Sequence, residues 1–236
     1  MPCDIAALRN HVGLRQNIVA WTERLSWQWP DGGSASWNKK FWRSGIPKTS
    51  LPAAVNDAFL HQSKYNIGCY TATKLVIIQG VLDYYTRVAP DKATLQRVLD
   101  RLQADGDPLV GIEPPAMWYF EDDYDPANNF VPGDWAYILN TDPITAVKTG
   151  YEGSNAIYLG RDRFDDYFND NSHSYTSREK LNEVYQWRNG VFSRSRHGHL
   201  ARPLAESDYI RLSHPPEQGG LVLTFRAVPY FFEHLP

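Results

Sequence analysis

Apolar residues recur at helical spacing over residues 4–25, where Ile5, Leu8, Val12, Ile18, Trp21 and Leu25 fall near one face and Asp4 stands at the N-cap. A loop rich in Gly, Ser and Trp follows over 29–50. Its Trp37, Phe41 and Trp42 are too apolar for a free linker, so they are expected to pack down or line a groove. Residues 52–60 read as a short helix. The run 70–85, with Leu75, Val76, Ile77, Ile78, Val81 and Leu82 and no Pro, reads as a long buried one. Residues 91–104 predict another helix, opened by Pro90-Asp91 and stopped by Asp105-Gly106. After Pro115 the period changes. Short aromatic and β-branched runs at 117–120, 135–139, 156–159, 209–212 and 221–228 predict strands, and 177–187 predicts one more helix among them. There is no internal repeat and no clear linker. Helices gathered on one side of an antiparallel sheet make an α+β domain.

Composition narrows the class. A chain of 236 residues can bury an ample core, and 8 Trp, 14 Tyr and 10 Phe argue against disorder. The 24 basic and 27 acidic residues are spread along the chain for a net charge of −3. Neither a basic stripe for nucleic acid nor a basic amphipathic helix for a membrane surface stands out. The longest apolar stretch, 75–82, is broken by Gln79 and Gly80 and is too short to span a bilayer. Met1-Pro2-Cys3-Asp4 opens no secretory signal, so the expected location is cytoplasmic, with signal-independent export open. Only Cys3 and Cys69 are cysteines, which argues against a structural disulfide and for a compartment that keeps thiols reduced.

Cys69 stands where the partly polar stretch Lys64-Tyr65-Asn66-Ile67-Gly68 turns into the apolar run. A thiol in the first turn of a helix lies among unpaired N–H groups at the positive end of the dipole. Both favour thiolate and can lower its pKa from about 8.5 toward neutrality or below. That suits a nucleophile, whereas the plainer alternative is a small core residue.

Three segments follow in order. Gly68-Cys69-Tyr70-Thr71-Ala72 opens a helix; Val131-Pro132-Gly133-Asp134-Trp135-Ala136-Tyr137-Ile138 is a turn feeding a strand; Gly153-Ser154-Asn155-Ala156-Ile157-Tyr158-Leu159-Gly160 is a strand closed by glycine. In layout they resemble the papain-like cell-wall amidohydrolases. They resemble more closely the spore-coat type of bacterial transglutaminase (protein-glutamine gamma-glutamyltransferase). Shared with it are Cys-x-Thr-Ala before an aliphatic helix, Gly-Asp before an aromatic strand with Asn140 and Pro143 beyond, Gly-x-Asn before Ile157-x-Leu159-Gly160, and an acidic-aromatic segment such as 161–168. The resemblance covers about residues 65–190. It implies a papain-like core with the nucleophile helix packed on an antiparallel sheet. The whole of 1–236 would then be one domain, with extra N-terminal helices over 1–62 and a catalytic core over 65–236.

The resemblance puts Cys69, Ser154 and Asn155 at the centre of the site, with the residue at 154 facing the sulfur. Yet where the family carries its base glutamate this chain has Ser154, and where a second glutamate precedes the cysteine it has Gly68. A serine hydroxyl cannot hold the thiol proton as a carboxylate would. Replacement bases are Glu152, His173, Asp134, His61 and the pair His197/His199. Asp134 after Pro-Gly also reads as a turn carboxylate capping local N–H groups, and His173 as a solvent loop residue. His197-Gly-His199 with His214 is a weak metal pattern, and the run Glu121-Asp122-Asp123-Tyr124-Asp125 lacks the features of a calcium loop. Tyr70, Trp135, Trp118 and Trp42 are either core residues or, in a site of this family, walls of a tunnel for a glutamine or lysine stem.

The implied chemistry is acyl transfer without metal or organic cofactor. Cys69 attacks a glutamine carboxamide, ammonia leaves, and the thioester goes to a lysine amine in crosslinking or to water in deamidation. The partner is a Gln-bearing protein, with Lys as acceptor, met either at home or as the target of a delivered effector or toxin. Two alternatives stand beside this: a papain-like cysteine peptidase or amidase, and a degenerate papain-like fold used as a binding module.

Overall fold

The computed structural model describes residues 4–28, 30, 35–103, 109, 117–120, 130–168, 174–193, 203–214, 216–220 and 222–229, with 117–120 and 222–229 described by their backbone. Helix α1 is Ile5–Thr22, and Asp4 Oδ1 accepts from Ala6 N at 2.9 Å as its N-cap. Leu14, Asn17, Ile18 and Thr22 form its buried stripe, whereas Ile5, Leu8 and Val12 are exposed. Only its second half therefore serves the apolar face that the spacing suggests. Helices α2 (Leu51–Leu60), α3 (Cys69–Asp83) and α4 (Lys92–Gln103) follow. Every residue from 72 to 82 is buried, the mark of a helix surrounded by its own protein. The loop aromatics do pack down. Trp42, on the small hairpin β1 (Trp42–Arg43) and β2 (Ile46–Pro47), gives its indole N–H to Ala54 O and packs at a tilt on Trp37, ring centroids 4.9 Å apart.

Helix α1 lies very close to α3. A Cβ on Gly80 would stand 2.7 Å from Ile18 Cγ1 and 2.9 Å from Ile18 Cα, so the glycine that breaks the apolar run is what lets the two helices touch. Asn17 Nδ2 donates to Gly80 O and to Asp83 Oδ2, and Trp21 Nε1 donates to the same Asp83 oxygen.

The main sheet holds β3 (Met117–Phe120), β4 (Trp135–Asn140), β5 (Gly153–Gly160), β6 (Arg163–Asp165), β7 (Ser174–Thr176) and β8 (Val222–Pro229). Their order is β3-β8-β4-β5-β6-β7, antiparallel throughout. Trp135 and Ile157 on one face join the core of α1 and α3, while Ala136, Ile138, Ala156, Tyr158, Phe164 and Tyr175 build a second core with Phe130 on the other. Helix α5 (Ser177–Arg188) leaves β7 through a capping box of Thr176 and Glu179. This is the α+β, papain-like arrangement: the Cys69 helix packed on an antiparallel sheet that contains both expected strands.

One expected strand is wrong. Residues 209–212 lie in a helix, α6 (Glu206–Leu212), with Leu212 buried against Leu181, Val184 and Trp187 of α5. The aromatic and β-branched run that suggested a strand is only four residues long, and its Ile210 is exposed. Acidic Glu206 and Asp208 in the first turn and Arg211 in the last suit a helix dipole.

Candidate active site

The approach to Cys69 is pinned from below. Asp57 of α2, 3% exposed, accepts from Tyr65 Oη at 2.6 Å and from Asn38 Nδ2 at 2.7 Å, and lies 2.7 Å from His61 Nδ1. Burial pushes the Asp57 carboxyl up, but the hydrogen bonds from Tyr65, Asn38 and His61 outweigh it and hold it below its ordinary value. Tyr65 is pushed strongly up by burial and by the Asp57 carboxylate, so it stays a neutral donor. With Tyr65 and Ile67 buried, the chain reaches Gly68 in one fixed direction. Gly68 is the N-cap of α3 and makes no side-chain cap, and a Cβ built on it meets nothing within 4 Å. The place of the family's second glutamate is open space in front of a helix start.

Cys69 Sγ accepts from Asn155 N at 3.3 Å, with Asn155 Nδ2 at 3.8 Å. Asn155 is oriented in turn by Trp135, whose indole N–H donates to its Oδ1 at 2.8 Å. One turn into α3, Thr73 Oγ1 donates to Cys69 O, so the Tyr167 hydroxyl, 2.8 Å away, donates to Thr73. Tyr167 is fully buried. Burial pushes its pKa well above the ordinary value, and the charges of Asp165, Cys69 and Tyr175 add to this. At neutral pH it is therefore a donor and no base. Its φ of 71° is unusual for a bulky residue, and both ends of its peptide are tied: its N–H to Asp165 Oδ1, its carbonyl to Trp27 N.

The side chain that comes to the sulfur is thus Asn155 rather than Ser154. Pairing of β5 with β4 sets Ser154 opposite Ile138 and Asn155 opposite Tyr137, so alternation turns Ser154 to the face of the second core. Its Oγ is buried there with no hydrogen-bond partner among the described residues. Glu152 is exposed. Asp134 is a turn carboxylate, accepting from Val131 N at 2.8 Å and paired with Arg15. His61 is held by Asp57. His173, His197, His199 and the acidic run 121–125 lie outside the described residues, as does the side chain of Trp118. Tyr70 is 43% exposed beside the thiol and carries Lys74 Nζ 3.9 Å over its ring, while Trp135 is buried behind it at 5.6 Å. Sequence spacing carries no signal for Thr73, and for Tyr167 only its place in the acidic-aromatic segment. Among the described residues no three His, Cys, Asp or Glu gather to hold a metal, and no helix is long and apolar enough to cross a membrane.

The chain shares its fold with a transglutaminase from Geobacillus stearothermophilus, solved without its C-terminal extension. The identity is 17%, the TM-score 0.57, and the match covers 99% of this chain and 98% of that one. No curated protein matches the sequence. A profile of the family described as protein-glutamine gamma-glutamyltransferase matches residues 3–197. With four-fifths of its length inside that match, the chain belongs to the protein-glutamine gamma-glutamyltransferase family.

Proposed function

We propose that Cys69 is the nucleophile of acyl transfer on protein glutamine side chains, working through a thioester. The observation that carries this reading is the pair of N–H donors that Asn155 presents to Cys69 Sγ at an uncapped helix start, inside a chain of this family. Donors to the sulfur and the positive end of α3 favour the thiolate, while burial opposes it. The site thus stabilises the anion with donors where the family uses a proton-accepting carboxylate.

The thiolate attacks the carboxamide carbon and forms the S–C bond, and the first N–H groups of α3 hold the oxyanion. The C–N bond then breaks, and the nitrogen takes up a proton from water and leaves as ammonia. A lysine amine next attacks the thioester, loses a proton to water and expels the thiolate, leaving a crosslink. Water in its place leaves glutamate. Tyr70 and the open side of Gly68 form the approach. Trp135 acts behind them by holding Asn155.

The test supplies a glutamine-bearing protein and a primary amine. Wild type should release ammonia or incorporate the amine, and Cys69→Ala should do neither. Absence of general-base help costs about 10²–10⁴-fold, so the assay runs for hours and also traps thioester. Iodoacetamide should alkylate Cys69 already at about pH 6. A thiol that reacts only as an ordinary cysteine does, with no ammonia from several donors, would hand the fold to the binding-module reading.

A further inference from the structure

Away from the thiol, three ionisable side chains are sealed together where the end of β6 meets α5. Lys180 Nζ lies 2.6 Å from Glu183 Oε2 and 3.7 Å from Asp166 Oδ2, and none of the three is more than 1% exposed. Tyr175 and Trp187, both fully buried, wall the group, with the Lys180 nitrogen 4.4 Å from the first ring and 5.8 Å from the second. Holding an ammonium and carboxylates in such a place carries a desolvation cost, which only close pairing offsets. An amine held against a carboxyl group at near-contact distance also has an effective molarity far beyond any solution value. The backbone around them is fixed: α5 starts from its capping box, and Asp166 is bracketed by Asp165 and Tyr167, whose N–H and C=O are both bonded.

We propose that this is a modification site at which Lys180 and Asp166 condense to an intramolecular isopeptide bond, with Glu183 as the proton shuttle. Glu183 takes a proton from the Lys180 ammonium. The neutral amine attacks Asp166 Cγ and forms the N–C bond. Glu183 returns its proton to a carboxyl oxygen, and the C–O bond breaks. The amide nitrogen keeps one hydrogen, and the other two leave with that oxygen as water. Ammonium plus carboxylate thus becomes amide plus water, with no external reactant and no change in net charge. The step removes one buried ammonium and one buried carboxylate, and Glu183, which ends ionised as it began, accepts from the new amide N–H in place of the ammonium it loses. The bond would fasten the segment carrying Tyr167, behind Cys69, to α5.

Intact mass of the purified, folded chain decides it. The expected mass is that of the sequence less one water, and a tryptic digest should yield the Asp166 and Lys180 peptides joined, with cleavage after Lys180 lost. Cys69→Ala should carry the same deficit, since the bond needs no thioester. Glu183→Gln, verified as folded by circular dichroism, should keep the full mass. A product of the enzyme's own glutamine chemistry would lack ammonia instead of water, and that deficit would overturn the proposal. So would a folded wild-type chain that retains the full mass, with Lys180 in a linear peptide, after days at neutral pH.

Discussion

Sulfur is a weak acceptor in the neutral thiol and a strong one in the thiolate, so the donors of Asn155 reward ionisation more than they reward the resting thiol. Asn155→Ala removes one donor outright and leaves the indole N–H of Trp135, 3% exposed, without its acceptor. A loss of about 1–3 kcal/mol in urea unfolding is expected. The iodoacetamide profile of Cys69 should move to higher pH in the same variant. An unmoved profile would show that the Asn155 side chain does not set the thiol. Gly68 offers the opposite experiment. Its φ of −71° suits any residue and its Cβ position is empty, so Gly68→Glu should fold normally and place a carboxylate at the positive end of α3. If the missing carboxylate limits turnover, ammonia release should rise by about 10-fold or more, a fraction of what general-base help supplies. A folded variant with unchanged rate would count against that limit.

Among elements, the α1–α3 contact carries the clearest stability predictions. Gly80→Ala drives a methyl into the Ile18 backbone, which cannot swing aside as a side chain tip would. About 1–3 kcal/mol should be lost in urea unfolding. Asp83 closes the same contact: burial raises its pKa, but the bonds from Arg87, Trp21 and Asn17 prevail and hold it below its ordinary 3.8, as the network around Asp57 does for that residue. A depressed carboxylate contributes stability above its unfolded pKa and loses it as pH falls through the folded one. The acid limb of stability should therefore begin near pH 3.8 and deepen below it, and Asp83→Asn or Asp57→Asn should flatten that limb. Elements with strong local signals are legible in the sequence: the Asp4 cap of α1 and the long apolar run of α3, with no Pro in it. Strands β6 and β7 have three residues each, too few for a period to show. Helix α6 misled because a run of four largely apolar residues fits either element until the burial of Leu212 on α5 decides between them.

At the scale of the whole molecule the sheet separates chemistry from plain packing, and one step along β5 moves a side chain from the first to the second. The order of Cys69, the Pro-Gly-Asp turn and the Gly-Ser-Asn strand made the fold and its family legible. The face on which residue 154 stands was not, because it depends on the register of β5 against β4, which sequence spacing leaves open. The two neighbours should therefore answer mutation in opposite ways. Ser154→Ala deletes a buried hydroxyl that has no partner among the described residues, so stability should hold or rise by up to about 1 kcal/mol, with alkylation of Cys69 and ammonia release unchanged. Ser154→Glu puts a carboxylate at a position with no exposed surface, beside Ile138 and Ala156, and should cost several kcal/mol, about enough to unfold a domain of ordinary stability. Asn155→Ala should instead disturb the thiol. Were Ser154→Ala to slow ammonia release while Asn155→Ala left it intact, the side chain at 154 would have to turn toward the sulfur in the working enzyme, and this assignment of the two faces of β5 would be reversed.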